Sequence, residues 1–292
     1  MNQKKIISAL MLSGCLLGSL PAQKSQSIEM ALKRRLITYN GSVEYLTPNQ
    51  KLKLQVKNRS RDTVVFHVEP GQIFRPANAN YQPLIATRQK IIRLAPGEER
   101  PVFVNALCGD RPKMAAMDGS TSFAVGEQAS PDLAAMLEHI QAMGWESKIN
   151  LQYLIWVFTN NMSMASVQIQ DLDVGSKQNL LRLMTLKTGQ EEPWYEIRYR
   201  AADPQGPVLF TGIAEEVKGD LKYEVASADD IRIQVVDAEG RIQKTLVFIP
   251  GQAPGRYTLP VRFAAEDLPL GMYSVRVEGR NAQIYGRFNF EI

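Results

Sequence analysis

Cysteine and histidine are nearly absent from this chain. It has two cysteines and two histidines in 292 residues. One cysteine, Cys15, sits in an N-terminal segment with the composition of a removable leader, so Cys108 is the only thiol expected in the body of the fold. An internal disulfide is therefore excluded, and the fold must be held by packing. His67 and His139 stand far apart with no cysteine near either, which argues against a zinc site, since those gather several His, Cys or carboxylate ligands. We expect no metal and no cofactor. A Gly-x-Ser-x-Gly elbow and a phosphate-binding glycine loop are also missing, and no spacing of Ser, His and Asp singles out a triad. Charge of one sign is lacking too. Removing Lys4 and Lys5 with the leader leaves 32 basic against 30 acidic residues, which gives no reason to invoke nucleic acid.

No long hydrophobic run occurs either. The stretch from Ile6 to Leu20 is interrupted by Ser and Gly and is too short and broken for a membrane span. Preceded by Lys4 and Lys5 and followed by Leu20-Pro21-Ala22, it has the layout of a secretory signal covering residues 1–23. Two outcomes stay open: cleavage after Ala22, or lipidation at Cys15, because Leu12-Ser13-Gly14-Cys15 resembles a bacterial lipobox. Either way the protein is expected to be exported to the periplasm, the outer-membrane surface or the extracellular space, with no transmembrane span in the mature chain.

What is present is period-two hydrophobicity, which in an extended chain puts alternate side chains on one face. Lys51 to Lys57 alternates cleanly, Asn58 to Asp62 is a polar turn, and Thr63 to Val68 is β-branched and aromatic. Short strands at Pro83–Thr87, Ile91–Leu94 and Val102–Val104 follow. The period then changes. Ser130-Pro131 is a capping pair ahead of Leu133, Met136, Leu137 and Ile140, and Gly144 ends that helix. The apolar run from Ile149 to Phe158 suits either a buried helix or a strand, and a strand is expected near Ala165 to Ile169. Polar residues from Asp171 to Asn179 suggest a linker. Beyond it lie strands at Trp194–Arg200, Val208–Ile213, Leu221–Val225, Ile231–Val236, Thr245–Ile249, Tyr257–Phe263, Tyr273–Val277 and Arg287–Ile292, with a tight turn at Asp237-Ala238-Glu239-Gly240. The expected fold is mainly β: a sandwich with a helical insertion over 24–175, and a second, immunoglobulin-like sandwich over 176–292.

In the second half, Gly219-Asp220-Leu221, Ile231 to Gly240, Arg241 to Leu246 and Leu268-Pro269-Leu270-Gly271-Met272-Tyr273-Ser274-Val275-Arg276 together resemble an immunoglobulin-like family. Flagellar hook-capping proteins and type IX secretion sorting domains share that family. The resemblance covers about Glu215 to Ile292 and implies a transport or spacer module without catalysis of its own. In the first half, Leu107-Cys108-Gly109-Asp110-Arg111-Pro112, Gly119 to Phe123 and Leu151-Gln152-Tyr153-Leu154-Ile155-Trp156 are similar to the pattern of bacterial surface thioester domains. That resemblance implies condensation of the Cys108 sulfur with the Gln152 carboxamide. Such a bond needs near-attack contact of about 3 to 3.5 Å and exclusion of water. On their own residues, Cys108 also reads as a small buried hydrophobe and Gln152 as a cap on nearby backbone.

Carboxylate pairs at Glu215-Glu216 and Asp229-Asp230 fall at strand ends or turns, where acids stay solvated. Of Trp145, Trp156 and Trp194, the last is the best exposed candidate for stacking on a sugar. Phe74, Arg75 and Tyr81, in the segment from Pro70 to Gln82, are the candidate binding loop, since a sandwich presents its loops rigidly. The sequence thus points to a non-enzymatic binding or assembly module whose partner is a protein or surface glycan. The alternative is a covalent adhesin built on Cys108 and Gln152.

Overall fold

The computed structural model describes residues 25–46, 49–117, 119–203 and 206–292. The segment expected as a leader, with Cys15 and the choice between cleavage and lipidation, lies outside the described residues.

The first domain opens with β1 (Gln26–Ser27), α1 (Ile28–Lys33), β2 (Ile37–Leu46), β3 (Asn49–Asn58), β4 (Val64–Val68), β5 (Gln72–Pro76) and β6 (Leu84–Ala86). It continues with β7 (Lys90–Leu94), β8 (Glu99–Val104), β9 (Ala106–Cys108) and β10 (Phe123–Gln128). Two sheets result, a three-stranded one in the order β1-β4-β7 and a seven-stranded one in the order β8-β3-β2-β10-β5-β6-β9. They face each other across a core that includes Leu52, Leu54, Val56, Phe66, Phe74, Leu84, Leu94 and Cys108.

Helices cover the far half of the larger sheet: α2 (Pro131–Met143), α3 (Leu151–Asn160), a 3₁₀ turn at Met164–Ser166, and α4 (Val174–Thr188). Strand alternation explains the arrangement. Phe74, Leu84 and Cys108 point into the sandwich, while their neighbours Ile73, Ile85 and Leu107 pack against the helices. Strand β6 is buried on both faces and so reads as a continuous apolar run. Ser130 caps α2 by accepting a hydrogen bond from Leu133 N, with Pro131 in the first turn and Gly144 at the end, as the sequence foretells.

The second domain holds β11 (Tyr195–Tyr199), β12 (Ala214–Val225), β13 (Asp229–Asp237), β14 (Ile242–Gln252), β15 (Gly255–Ala264), β16 (Met272–Glu278) and β17 (Ile284–Glu291). Sheets β11-β12-β15 and β14-β13-β16-β17 close on a core of Ile197, Val217, Leu221, Ile231, Ile233, Val235, Val275 and Phe290. The turn between β13 and β14 is built as its residues require. Asp237 Oδ1 accepts from Glu239 N at 3.0 Å and Arg241 N at 2.9 Å, and Gly240 takes a φ of 82°.

One open alternative is settled and three sequence expectations are corrected. The ambiguous run at 149–158 is the helix α3, buried through Leu154, Ile155, Trp156 and Val157. The segment expected as a strand near Ala165 to Ile169 is the 3₁₀ turn followed by irregular chain, with one isolated bridge between Ile149 and Ile169. The polar segment expected as a linker instead starts α4: Asp173 caps it by accepting from Ser176 N at 2.9 Å, and Leu180 and Met184 bury against α2 and α3. Its polar residues are cap and solvated face. Finally, Val208 to Ile213 is not a strand, because Phe210 turns back to join Tyr153, Trp156 and Tyr199 in an aromatic cluster.

Candidate functional site

A groove lies where the helices of the first sandwich meet the second sandwich. On one side are the 3₁₀ turn and α4; on the other are β11, β12 and β15. The groove encloses about 500 Å³ and is lined by Met164, Val167, Lys177, Leu181, Trp194, Glu196, Lys218, Asp220 and Arg262 among others. A second hollow of about 190 Å³ shares Ile169, Glu196, Lys218 and Arg262 with it, so the two form one extended surface. Apolar side chains pack across the junction. Ala165 of the first domain belongs to the second sandwich's core, and Leu209 and Phe210 pack back on the first. Arg111 lies 4.8 Å from the Phe210 ring centre, and Ala115 N donates to Pro207 O at 2.7 Å.

Charge in the groove is matched. Glu196 on β11 is gripped by Lys177 from α4 and by Lys218 from β12, the latter at 2.9 Å. Burial pushes the Glu196 carboxyl up, but the two lysines more than offset this and hold it below the usual range. Glu216 takes a two-pronged contact from Arg262, with Nε at 2.6 Å and Nη2 at 2.9 Å, and this keeps its carboxyl low as well. Both carboxylates are therefore ionised at neutral pH. A general acid would need the opposite shift.

Trp194 forms one wall. Its Nε1 donates to Asn289 O at 2.6 Å, and its ring meets Phe288 and Phe290 edge-on with centroids 5.6 and 6.3 Å away. Opposite it is Gly219, where a Cβ would stand 2.5 Å from Trp194 O and 2.9 Å from Cε3, so only glycine permits the approach. The indole is half-buried and fixed, whereas Trp145 and Trp156 are core residues. The acids Glu215 and Glu216 lie on β12 among Arg198, Arg200 and Arg262. Asp229 and Asp230 are tied to Arg280.

The structure brings Cys108 and Gln152 together, through the backbone. Gln152 Oε1 accepts from Cys108 N at 3.1 Å, and Gln152 Nε2 donates to Cys108 O at 2.7 Å. β9 is the last strand of its sheet, and the carboxamide completes its open edge there. The thiol points away into the sandwich core, where burial pushes it up to about 12.

The candidate loop divides. Phe74 is a strand residue with no exposed surface, because β5 alternates Phe74 into the core and Arg75 outward. Arg75 is exposed and pairs with Glu127 on β10. Tyr81 does lie in a loop, half-buried against the core and bridged to Met114. These three residues do not form one surface. His67 on β4 contacts Ser25 Oγ at 2.8 Å and Glu69 Oε1 at 3.0 Å, and His139 meets the Trp145 ring edge-on at 5.6 Å. Among the described residues no group of three or more His, Cys, Asp or Glu could hold a metal ion, and no helix is long and apolar enough to cross a membrane.

Sequence reasoning missed Lys177, Glu196, Lys218 and Arg262, which come from four separate elements and share no motif. Trp194 beside Pro193 was the one legible signal. Comparison with protein-family models, curated proteins and solved structures gives no match.

Proposed function

We propose that this is an exported bacterial binding or assembly module, without enzymatic turnover, that recognises its partner through the groove between the two domains. The observation that carries this reading is the charge-matched groove beside Trp194. Its carboxylates are held ionised by fixed cations, a state that suits complementary contacts better than proton transfer. A rigid indole on one wall adds apolar area that loses little freedom on binding. The resemblance of residues from about Glu215 onward to immunoglobulin-like spacer and sorting domains supports the same class, as does the leader-like N-terminus.

A photo-crosslinking residue placed at Asp220, which is exposed and lines the groove, tests it in the native cell. The expected result is a discrete adduct on a chain whose leader has been processed, and loss of that adduct in Trp194→Ala. An unprocessed N-terminus would overturn the exported location. Failure to form any adduct at Asp220 would overturn the groove as the recognition surface.

A further inference from the structure

One end of the first sandwich carries a cluster of unanswered positive charge. Lysines along β3 have acids beside them, Lys53 with Glu44 at 2.8 Å and Lys57 with Glu99 at 3.1 Å, and Arg100 has Glu98 at 2.9 Å. The two turns next to them differ. Lys33, Arg34 and Arg35 follow α1, and Arg59 and Arg61 lie between β3 and β4; all five are exposed, and among the described residues none has an acidic partner. Arg59 N donates to Leu36 O at 2.7 Å, so the turns are neighbours. The acids nearest in the chain are Asp62, in the second turn, and Glu29, at the far end of α1 where it accepts from Gln72.

The scaffold fixes the backbone of both turns. Asn58 Nδ2 donates to Asp62 O and Ala95 O, both at 2.8 Å, while its Oδ1 accepts from Ser60 N at 2.8 Å. On the other turn, Arg35 N donates to Leu32 O at 2.8 Å and Leu36 N to Ala31 O at 3.0 Å, closing the helix with Arg35 at a φ of 57°. Glycine fills that position without steric cost, and here an arginine occupies it. Met30, one turn before Arg34 on the same face, is 38% exposed.

We propose that this end of the molecule docks on an anionic lipid surface. The five cations are exposed on two adjoining turns, and none of the cavities described above is lined by them, which suits a broad anionic surface better than a ligand held in a pocket. The place where the chain joins the fold agrees. β1 runs parallel to β4 with Gln26 beside Phe66, so the described chain begins at Ser25 level with Val65, at the same end as Arg61 and Asp62. Lys24 immediately precedes it. The proposal shares the exported location with the reading above but does not depend on the groove.

Co-sedimentation of the mature chain with phosphatidylethanolamine vesicles, with and without phosphatidylglycerol, tests this directly. The protein should sediment only with phosphatidylglycerol present, and release at high salt. Combining Arg34→Gln, Arg35→Gly, Arg59→Gln and Arg61→Gln should weaken binding by roughly fivefold per charge removed. Arg35→Gly alone should leave Tm unchanged or higher while still weakening binding, which separates charge from folding. Arg232→Gln with Arg287→Gln, exposed arginines of the second domain, should bind as the parent does. Equal sedimentation with uncharged vesicles, or equal loss in that control, would overturn the proposal. So would tight binding of inorganic polyphosphate without vesicle sedimentation, which would mark a site for soluble polyanions.

Discussion

The carboxamide of Gln152 forms both of its hydrogen bonds with one residue, accepting from Cys108 N and donating to Cys108 O. A side chain from α3 thus takes the place of the missing neighbour strand at the edge of a seven-stranded sheet. Gln152→Ala leaves a donor and an acceptor unpaired at a half-buried edge and should cost about 1–3 kcal/mol. Gln152→Glu keeps the acceptor but loses the donor, and should be no better. Urea unfolding of the three proteins checks both.

The thiol on that residue is expected to be inert. Its folded value near 12 lies above the 9.0 of an exposed thiol, because burial disfavours the thiolate. The contribution is fully present below about pH 9 and is lost as pH rises from there toward 12. Stability should fall across that range, and Cys108→Ala should remove this part of the fall. Intact mass should show the full residue sum, without the deficit of about 17 Da that a thioester brings by expelling ammonia. A deficit abolished by Cys108→Ala would show that the sulfur reaches the amide after all.

How much of this was legible in the sequence depends on whether a signal was local. Strands of the second domain other than Val208 to Ile213, the Asp237 turn and the Ser130 cap each rest on a few consecutive residues, and these are found. Phe74 reads as a loop residue because Pro70-Gly71 and the small polar residues after it are turn signals, whereas β5 runs through it and turns it inward. Asp171 to Asn179 read as a linker because a helix cap and a linker use the same residues. The groove was invisible: Lys177 and Glu196 are close only because α4 docks on β11, a tertiary fact with no periodicity. Of the two readings of Cys108 and Gln152, the fold matches the one taken from the residues themselves, a buried thiol and a carboxamide bonded to nearby main chain, and not the bond through sulfur that the resemblance implies.

Phe74 and Arg75 offer a direct contrast between neighbours. Phe74→Ala empties a fully buried ring position and should cost about 3–5 kcal/mol. Arg75→Ala breaks an exposed ion pair with Glu127 and should cost less than about 1 kcal/mol. Similar costs for the two would contradict the strand assignment of β5. Thermal unfolding measures both.

The groove carboxylates set an acid limit. Glu196 and Glu216 are both held below the usual value near 4.5, so their contribution is present above that pH and is lost as pH falls through the lower folded values. The contact between α4 and β11 should therefore loosen below about pH 4.5, ahead of either core. Glu196→Gln should remove part of this pH dependence while lowering stability at neutral pH. Hydrogen exchange in α4 and β11, followed from pH 6 to about pH 3.5, distinguishes local opening from global unfolding.

Gly219 is the most exacting single position in the groove. A methyl group there meets the carbonyl oxygen and ring of Trp194 at 2.5 and 2.9 Å, and the first of these is backbone that has no rotamer to yield. Gly219→Ala should push β11 away from β12 at the point where Tyr195 pairs with Gly219, at a cost of about 1–3 kcal/mol. Displacement of the indole also breaks its bond to Asn289 O, which ties β11 to β17 across the two sheets. Tryptophan fluorescence should shift to longer wavelength in Gly219→Ala, and Trp194→Phe in the same background should abolish the shift. An unchanged spectrum with unchanged Tm would mean that the strands separate freely here and that Trp194 is not a fixed wall of the groove.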